Sequence, residues 1–197
     1  MSSSVPSVRR VPVLADALPG ARPRDLMLVI AGAALTAACA QISVHVPPSP
    51  VPITGQTFAV VVAGASLGSV RGGASQLLYV LLGLALPVYA GGTHGWEVLS
   101  GATGGYLVAF PIAAFAIGRL AEHGRDRYVL TAFAAFVAGQ LIIFGLGVPW
   151  LKVSADLQWS TAIHDGFTIF IVGGLIKAGA AGVLTPTAWR AVRRYEL

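Results

Sequence analysis

The sequence predicts an all-α membrane protein with six transmembrane helices and both termini in the cytoplasm. Of the 197 residues, 55% are hydrophobic and only 11% are charged, against roughly 25% charged residues in soluble domains. Residues 26–70 contain no Asp, Glu, Lys or Arg, and a run of this length is long enough for two spans of about 20 residues. The arginines also gather on one side of the predicted spans. These three observations favour one membrane domain with little mass left for a soluble catalytic part.

The predicted spans are separated by segments that cannot continue an apolar helix. Pro47, Pro48, Pro50 and Pro52 end the first span, because proline lacks an amide donor and disfavours helix in the residue before it. The predicted organisation is a tail over 1–25, a membrane domain over 26–190 with spans at 26–45, 54–69, 74–87, 101–121, 128–147 and 165–189, and a tail over 191–197.

The basic residues predict the orientation of the spans. Eleven arginines fall on one side: Arg9, Arg10, Arg22, Arg24, Arg71, Arg119, Arg125, Arg127, Arg190, Arg193 and Arg194. On the other side lies Lys152 alone, and Lys177 is within a span. Because Lys and Arg concentrate in cytoplasmic loops, we expect a multi-pass protein of the bacterial plasma membrane with both termini cytoplasmic. The same distribution makes the arginines topology signals and anionic-lipid contacts rather than a nucleic-acid surface.

Several enzymatic classes are disfavoured by the sequence. A single cysteine, Cys39, excludes an internal disulfide and a CxxC site. Residues 64–68 match the G-x-S-x-G pattern around Ser66, but that serine falls inside a predicted helix rather than at a strand–turn–helix elbow. Metal-ligand spacing and a P-loop are both absent. We therefore expect no catalytic residues, no metal and no enzymatic activity.

Lys177 is the strongest candidate for a functional residue. It is the only charge in the apolar run of residues 166–188 and lies near its middle. A lysine at the bilayer midplane costs about 3 kcal/mol on insertion scales, which a partner, a wet cavity or a ligand can offset. At helical spacing it shares a face with small residues, including Gly173 and Gly174. A ligand site and a bond to a backbone carbonyl both remain open.

Other polar and aromatic residues are expected to line an outer-facing cavity with Lys177. They are Thr54, Gln56, Tyr79, Thr93, His94, Trp96, Thr103 and Tyr106. An amide, hydroxyls, aromatic rings and one cation suit a small ligand with a flat polar head and a carboxylate. A Lys–carboxylate pair at about 4 Å gains roughly 4 kcal/mol at an effective dielectric constant of about 20.

Small residues recur at four-residue spacing, for example Ala34 with Ala38 and Gly64 with Gly68. Such spacing lets helix backbones approach closely in lipid. Packing inside the bundle and docking of a partner protein both remain open.

Four segments, in order, carry a family resemblance. Residues 51–57 (VPITGQT) resemble the VPITxQT segment of the BioY family, the biotin-specific S components of energy-coupling factor (ECF) transporters. Residues 79–92 are similar to its YLLLGxxGxPVFAGG segment, 101–107 to GPTGGYL, and 170–177 to FIPGDLLK. Three positions depart from the pattern: the acidic residue is Gly174 here, and two prolines are Val172 and Ala102.

The resemblance implies the six-helix S-component bundle and capture of biotin from outside, with Lys177 and Gly174 in the binding site. It further implies association with a transmembrane coupling protein and ATPase subunits through small residues such as Ala34 and Ala38. Biotin would be the transported ligand and no cofactor is expected. The missing acidic residue leaves open an S component for a different vitamin, and the small-residue faces leave open a non-transporting membrane scaffold.

Overall fold

A computed structural model describes residues 13–17 and 22–195, which are mostly helical. Its α-helices are α1 (Arg22–Ala40), α2 (Gln56–Leu67), α3 (Ser69–Leu82), α4 (Trp96–Ser100), α5 (Gly104–Glu122), α6 (Val129–Ser154), α7 (Trp159–Gly166) and α8 (Ile171–Tyr195). Short 3-10 turns lie at Leu14–Ala17, Ala90–Gly92 and Thr168–Phe170, and a two-stranded hairpin joins β1 (Ser43–Val44) to β2 (Ile53–Thr54). Residues 1–12, 18–21 and 196–197, which include most of the predicted tails with Arg9 and Arg10, lie outside the described residues.

Four helical stretches of the described chain are long and apolar enough to cross a membrane. They are Arg22–Ala40, Gly104–Glu122, Val129–Ser154 and Trp159–Ala191, the last combining α7 with α8. The second and third predicted spans correspond to α2 and α3, which have 12 and 14 residues. At 1.5 Å per residue α2 is about 18 Å long, shorter than a hydrocarbon core of about 30 Å.

The short helices α2 and α3 form a tight hairpin because a single residue separates them. That residue, Gly68, has a φ of 84°, a conformation that side chains rarely adopt. A Cβ on Gly64 would lie 2.6 Å from the carbonyl oxygen of Ala114 on α5, and a Cβ on Gly72 would lie 2.9 Å from the Cα of Gly64. The spacing of Gly64 and Gly68 therefore serves packing inside the bundle.

Helix α5 lies at the centre and packs against α2, α3 and α6. Helix α1 covers α2 and α3, while α8 covers α6 and α2. Of the α1 alanines, Ala33 is buried, whereas Ala34 and Ala38 are exposed. The exposed pair thus faces away from the bundle.

The proline segment between the first two predicted helices forms the loop of the β1–β2 hairpin. Ser43 pairs with Thr54 and Val44 with Ile53, so α1 ends at Ala40 rather than at the predicted residue 45. The loop is tied to α7 by Ser49, whose hydroxyl donates to the carbonyl oxygen of Asp165 at 2.7 Å. Two-residue strands have no periodicity that sequence analysis could detect.

Helical structure also extends into the predicted 148–164 loop. Helix α6 continues through Pro149 to Ser154, and α7 follows at Trp159. Trp150 donates its indole N–H to the carbonyl oxygen of Gly101 at 2.9 Å and packs against the backbone of Gly105, which has no side chain to block it. This tertiary contact stabilises a helical turn that the proline made improbable from sequence.

Charged residues are tied together at the opposite end of the bundle. Arg71 bonds Asp16 at 2.6 Å and Asp25 at 3.1 Å. The buried carboxylate of Asp126 accepts the indole N–H of Trp189 at 2.7 Å, and Arg127 lies over the same ring. These contacts hold neighbouring segments together at the end of the bundle that carries the arginines.

Candidate binding cavity

A cavity of about 290 Å³ lies at the end of the bundle that carries the hairpin. Its size is near the lower end of the roughly 300–1,000 Å³ common for small-molecule sites. The walls come from the hairpin, α2, the segment between α3 and α5, and helices α5, α6 and α8. The lining residues are His45, Pro50, Val51, Pro52, Thr54, Gln56, Thr57, Tyr89, Ala90, Thr93, Glu97, Val98, Gly101, Ala102, Thr103, Tyr106, Leu107, Phe110, Gln140, Phe144, Phe170, Gly174 and Lys177.

Lys177 on α8 reaches across to the start of α2. Its ammonium donates to the carbonyl oxygen of Thr54 at 2.6 Å and to the hydroxyl of Thr57 at 3.1 Å. Among the described residues, no carboxylate lies within ion-pair distance of it. An ammonium has three donors, and its two acceptors here are both neutral, so among the described residues its charge has no counter-ion within ion-pair distance.

Gln56 and Tyr79 hold the backbone that receives Lys177. The hydroxyl of Thr54 donates to Oε1 of Gln56 at 2.8 Å, and Nε2 of Gln56 donates to the phenol oxygen of Tyr79 at 2.5 Å. The phenol in turn donates to the carbonyl oxygen of Val88 at 3.2 Å. This chain of hydrogen bonds connects α2, α3 and the following loop.

Aromatic rings form the apolar wall. Phe144 on α6 contacts Tyr106 and Phe170 with ring centroids 6.3 and 5.9 Å apart. The phenol of Tyr106 donates to the carbonyl oxygen of Gly166 at 2.9 Å, which joins α5 to the end of α7. Aromatic residues joined in this way give a rigid face against which a flat ring can pack.

Gln140 adds an amide to the wall between α6 and α8. It is 5% exposed and donates from Nε2 to the carbonyl oxygen of Gly174 at 3.1 Å. Its Oε1 is buried and has no hydrogen-bond partner among the described residues. This oxygen is an acceptor left unused in the wall of the cavity.

Seven of the residues predicted to line the cavity do so: Thr54, Gln56, Thr93, Thr103, Tyr106, Gly174 and Lys177. Tyr79 is buried behind Gln56 and reaches the cavity only through it. His94 and Trp96 are exposed and lie outside the lining, with Trp96 70% exposed. Their predicted contacts with a ligand stay predictions.

Sequence reasoning missed five polar lining residues: His45, Thr57, Tyr89, Glu97 and Gln140. Gln140 had a detectable signal, since it is the only amide or charged side chain in α6 between Thr131 and Lys152 and polar residues inside a span mark functional positions. Tyr89 lies within the 79–92 segment that carries the family resemblance, and in the fold its phenol donates to the carbonyl oxygen of Val80. Burial raises the pKa of the Tyr89 phenol, which therefore stays a neutral donor.

A helical membrane protein with a cavity combining a cation, amides, hydroxyls and aromatic rings has the construction of a solute-binding membrane protein. The sequence profile of the BioY family matches residues 11–194. The chain belongs to the BioY family.

Relatives of the chain support this assignment over most of their length. The probable biotin transporter BioY of Pyrococcus horikoshii is 38% identical over 162 residues, covering 82% of this chain and 93% of the relative. The biotin transporter BioY2 of Lactococcus lactis subsp. cremoris is 36% identical, covering 78% and 84% respectively.

A solved structure shows the same fold. It is described as the S-component for biotin from an ECF-type ABC transporter, and it superposes with a TM-score of 0.79 at 24% identity. The match covers 86% of this chain and 92% of the other.

Proposed function

We propose that this chain is the biotin-binding, substrate-capture subunit of a vitamin importer rather than an enzyme. Biotin has a carboxylate at one end and a flat ureido ring at the other, and the cavity offers a cation and an aromatic wall. The names of the relatives support this choice of ligand, and the family assignment supports a transport role.

The observation that carries the proposal is the state of Lys177. Its ammonium bonds two neutral oxygens at the cavity wall. A carboxylate that enters the cavity supplies the missing charge, and charge-assisted hydrogen bonds are roughly twice as strong as neutral ones. Lys177 is thus proposed to hold the biotin carboxylate, with Thr93, Thr103 and the phenyl and phenol rings surrounding the rest of the ligand.

The cavity is proposed to open to the outside, with both termini cytoplasmic. The connectivity supports this orientation, because the hairpin and the cavity lie at the end of the bundle opposite Arg71, Arg119 and Arg127. Basic residues favour the cytoplasmic face.

Delivery of the ligand is proposed to require an ECF module composed of a transmembrane coupling protein and ATPase subunits. The exposed positions of Ala34 and Ala38 on α1 support a docking face there, since small residues permit close approach of another helix.

Isothermal calorimetry of biotin with the purified chain tests the ligand. We expect saturable binding with one site per chain. Mass spectrometry of small molecules released from the same preparation distinguishes the alternatives: another vitamin in place of biotin supports an S component of different specificity, which Gly174 permits. Absence of any bound or binding vitamin supports a membrane scaffold and contradicts the proposal.

A further inference from the structure

Gln140 presents an unusual buried group, an amide oxygen without a donor. Its side chain belongs to the cavity lining and is 5% exposed, yet only its nitrogen is engaged, with the carbonyl oxygen of Gly174 at 3.1 Å. Oε1 is buried and unpaired within the part of the chain that the structure describes. Buried polar atoms without partners are rare in native proteins and call for an explanation.

The orientation of this amide follows from its neighbour. The backbone oxygen of Gly174 can only accept, so the atom of Gln140 that faces it must be the donating nitrogen. A flipped amide would place two acceptors together. The free oxygen is therefore a consequence of the bond to α8 rather than of an arbitrary choice between two similar atoms.

The amide of Gln140 lies beside Gly174. A Cβ built on Gly174 would lie 3.7 Å from both Nε2 and Oε1 of Gln140, so the amide stands where a side chain at position 174 would project. Lys177, one helical turn further along α8, lines the same cavity. A neutral acceptor and a cation are thus presented on one side of the cavity.

We propose that Oε1 of Gln140 is the acceptor for a ring N–H of the bound ligand, which makes Gln140 a specificity-determining residue. This inference rests on the proposed function, because the N–H donors in question are those of the biotin ureido ring. Lys177 binds the carboxylate of the ligand, and Gln140 accepts a hydrogen bond from its ureido ring. A neutral acceptor suits a neutral urea group. The hydrogen bond from Nε2 of Gln140 to Gly174 stays intact when the ligand leaves.

The test combines a change in the protein with a change in the ligand. Wild-type protein and Gln140→Met are each titrated with biotin and with biotin methylated at either ring nitrogen. Methionine keeps the length of the side chain and removes the acceptor. In the wild type, methylation at one of the two nitrogens is expected to weaken binding about tenfold or more, because a buried acceptor loses its donor. Gln140→Met is expected to bind biotin about tenfold more weakly and to discriminate between biotin and that methylated analogue less than about threefold.

Two controls separate this inference from its premises. Gln158→Met replaces an exposed glutamine outside the cavity lining and should retain both affinity and discrimination. Where Gln140→Met yields no folded protein, Gln140→Asn withdraws the oxygen by one methylene while keeping the amide, and the same loss of discrimination is expected.

The outcomes distinguish the two proposals. Full discrimination retained in the folded Gln140 variant overturns the role of Gln140 while leaving biotin binding in place. Equal binding of both methylated analogues and biotin by the wild type overturns it as well. No binding of biotin by the wild type contradicts the proposed function itself, and this inference falls with it.

Discussion

The ammonium of Lys177 lies 2.6 Å from the carbonyl oxygen of Thr54, although 123 positions separate the two residues in the chain. The contact bridges the last helix to the β2–α2 junction. Lysine in the middle of an apolar helix was open to two explanations, a ligand site or a bond to a backbone carbonyl. The structure shows the carbonyl bond and also places the lysine at a cavity wall, so the two explanations are compatible.

Replacing Lys177 tests the proposed carboxylate contact. Lys177→Ala is expected to weaken biotin binding by about 100-fold or more and to abolish its co-purification, because roughly 3 kcal/mol of charge-assisted hydrogen bonding is lost. Calorimetry and mass spectrometry measure both effects. Lys152→Ala, at the other lysine of the chain and outside the cavity lining, is the matched control. Wild-type affinity in Lys177→Ala would remove this residue from the site.

Tyr79→Phe tests the hydrogen-bond chain behind the cavity. Without the phenol oxygen, Nε2 of Gln56 is left as a buried donor without a partner, which costs about 1–3 kcal/mol. We expect a lower unfolding temperature in detergent, together with weaker biotin binding because Thr54 is less firmly held. Tyr128→Phe, at a tyrosine that is 72% exposed, should leave both unchanged. A Tyr79→Phe protein as stable as the wild type would show that this series of hydrogen bonds contributes nothing to stability.

The exposed residues of the glycine loop should matter less than the cavity wall. His94→Ala and Trp96→Ala are expected to change biotin affinity by less than about threefold, since peripheral, solvated contacts contribute little. Thr103→Ala, which alters a lining residue, should have the larger effect. Titration of the three variants with biotin, side by side, ranks their losses of affinity. A larger loss at Trp96 than at Thr103 would indicate that the loop closes over the ligand.

The exposed alanines of α1 allow binding to be separated from assembly. Ala38→Leu and Ala34→Leu are expected to reduce co-purification with the coupling protein and ATPase subunits, because a larger side chain prevents close helix approach. Biotin binding by the isolated chain should not change. Ala138→Leu, at an exposed alanine of α6, serves as the control. Assembly that tolerates both α1 variants would place the docking face elsewhere.

Asp126 gives the arginine-bearing end a defined pH dependence. Burial raises the pKa of its carboxyl above the ordinary value of 3.8, although Trp189 and Arg127 oppose this shift. A pKa raised by folding contributes stability that is fully present below 3.8 and is lost as pH rises through the folded-state value. Asp126→Asn is therefore expected to unfold at a higher temperature than the wild type at pH 7, with the difference vanishing near pH 4.

Thermal unfolding across that pH range measures the Asp126 effect. Asp156→Asn, at an exposed position where φ is 49° and asparagine is tolerated, should follow the wild type throughout. A difference in unfolding temperature between Asp126→Asn and the wild type that does not change with pH would contradict the raised pKa of Asp126.

The sequence alone was sufficient for the membrane class, the family resemblance and the choice of Lys177 as a residue whose charge needs compensation. Each rests on a local signal: an uncharged run reports directly on insertion into hydrocarbon, and a lone charge inside it requires compensation. The family resemblance is confirmed by the match over residues 11–194. The span limits were less predictable, since Trp150 stabilises α6 beyond Pro149 through a distant backbone oxygen.

Only the tertiary structure decided which polar atoms of the cavity wall already have hydrogen-bond partners. Gln56 and Gln140 are both buried amides in the cavity wall, yet in Gln56 both the oxygen and the nitrogen have partners, Thr54 and Tyr79, while Gln140 retains an unpaired oxygen. The difference depends on partners that are distant in sequence: Tyr79 lies 23 positions from Gln56, and Gly174 lies 34 from Gln140. A residue type specifies how many hydrogen bonds a side chain can make, but the packing of helices determines which of them are already made.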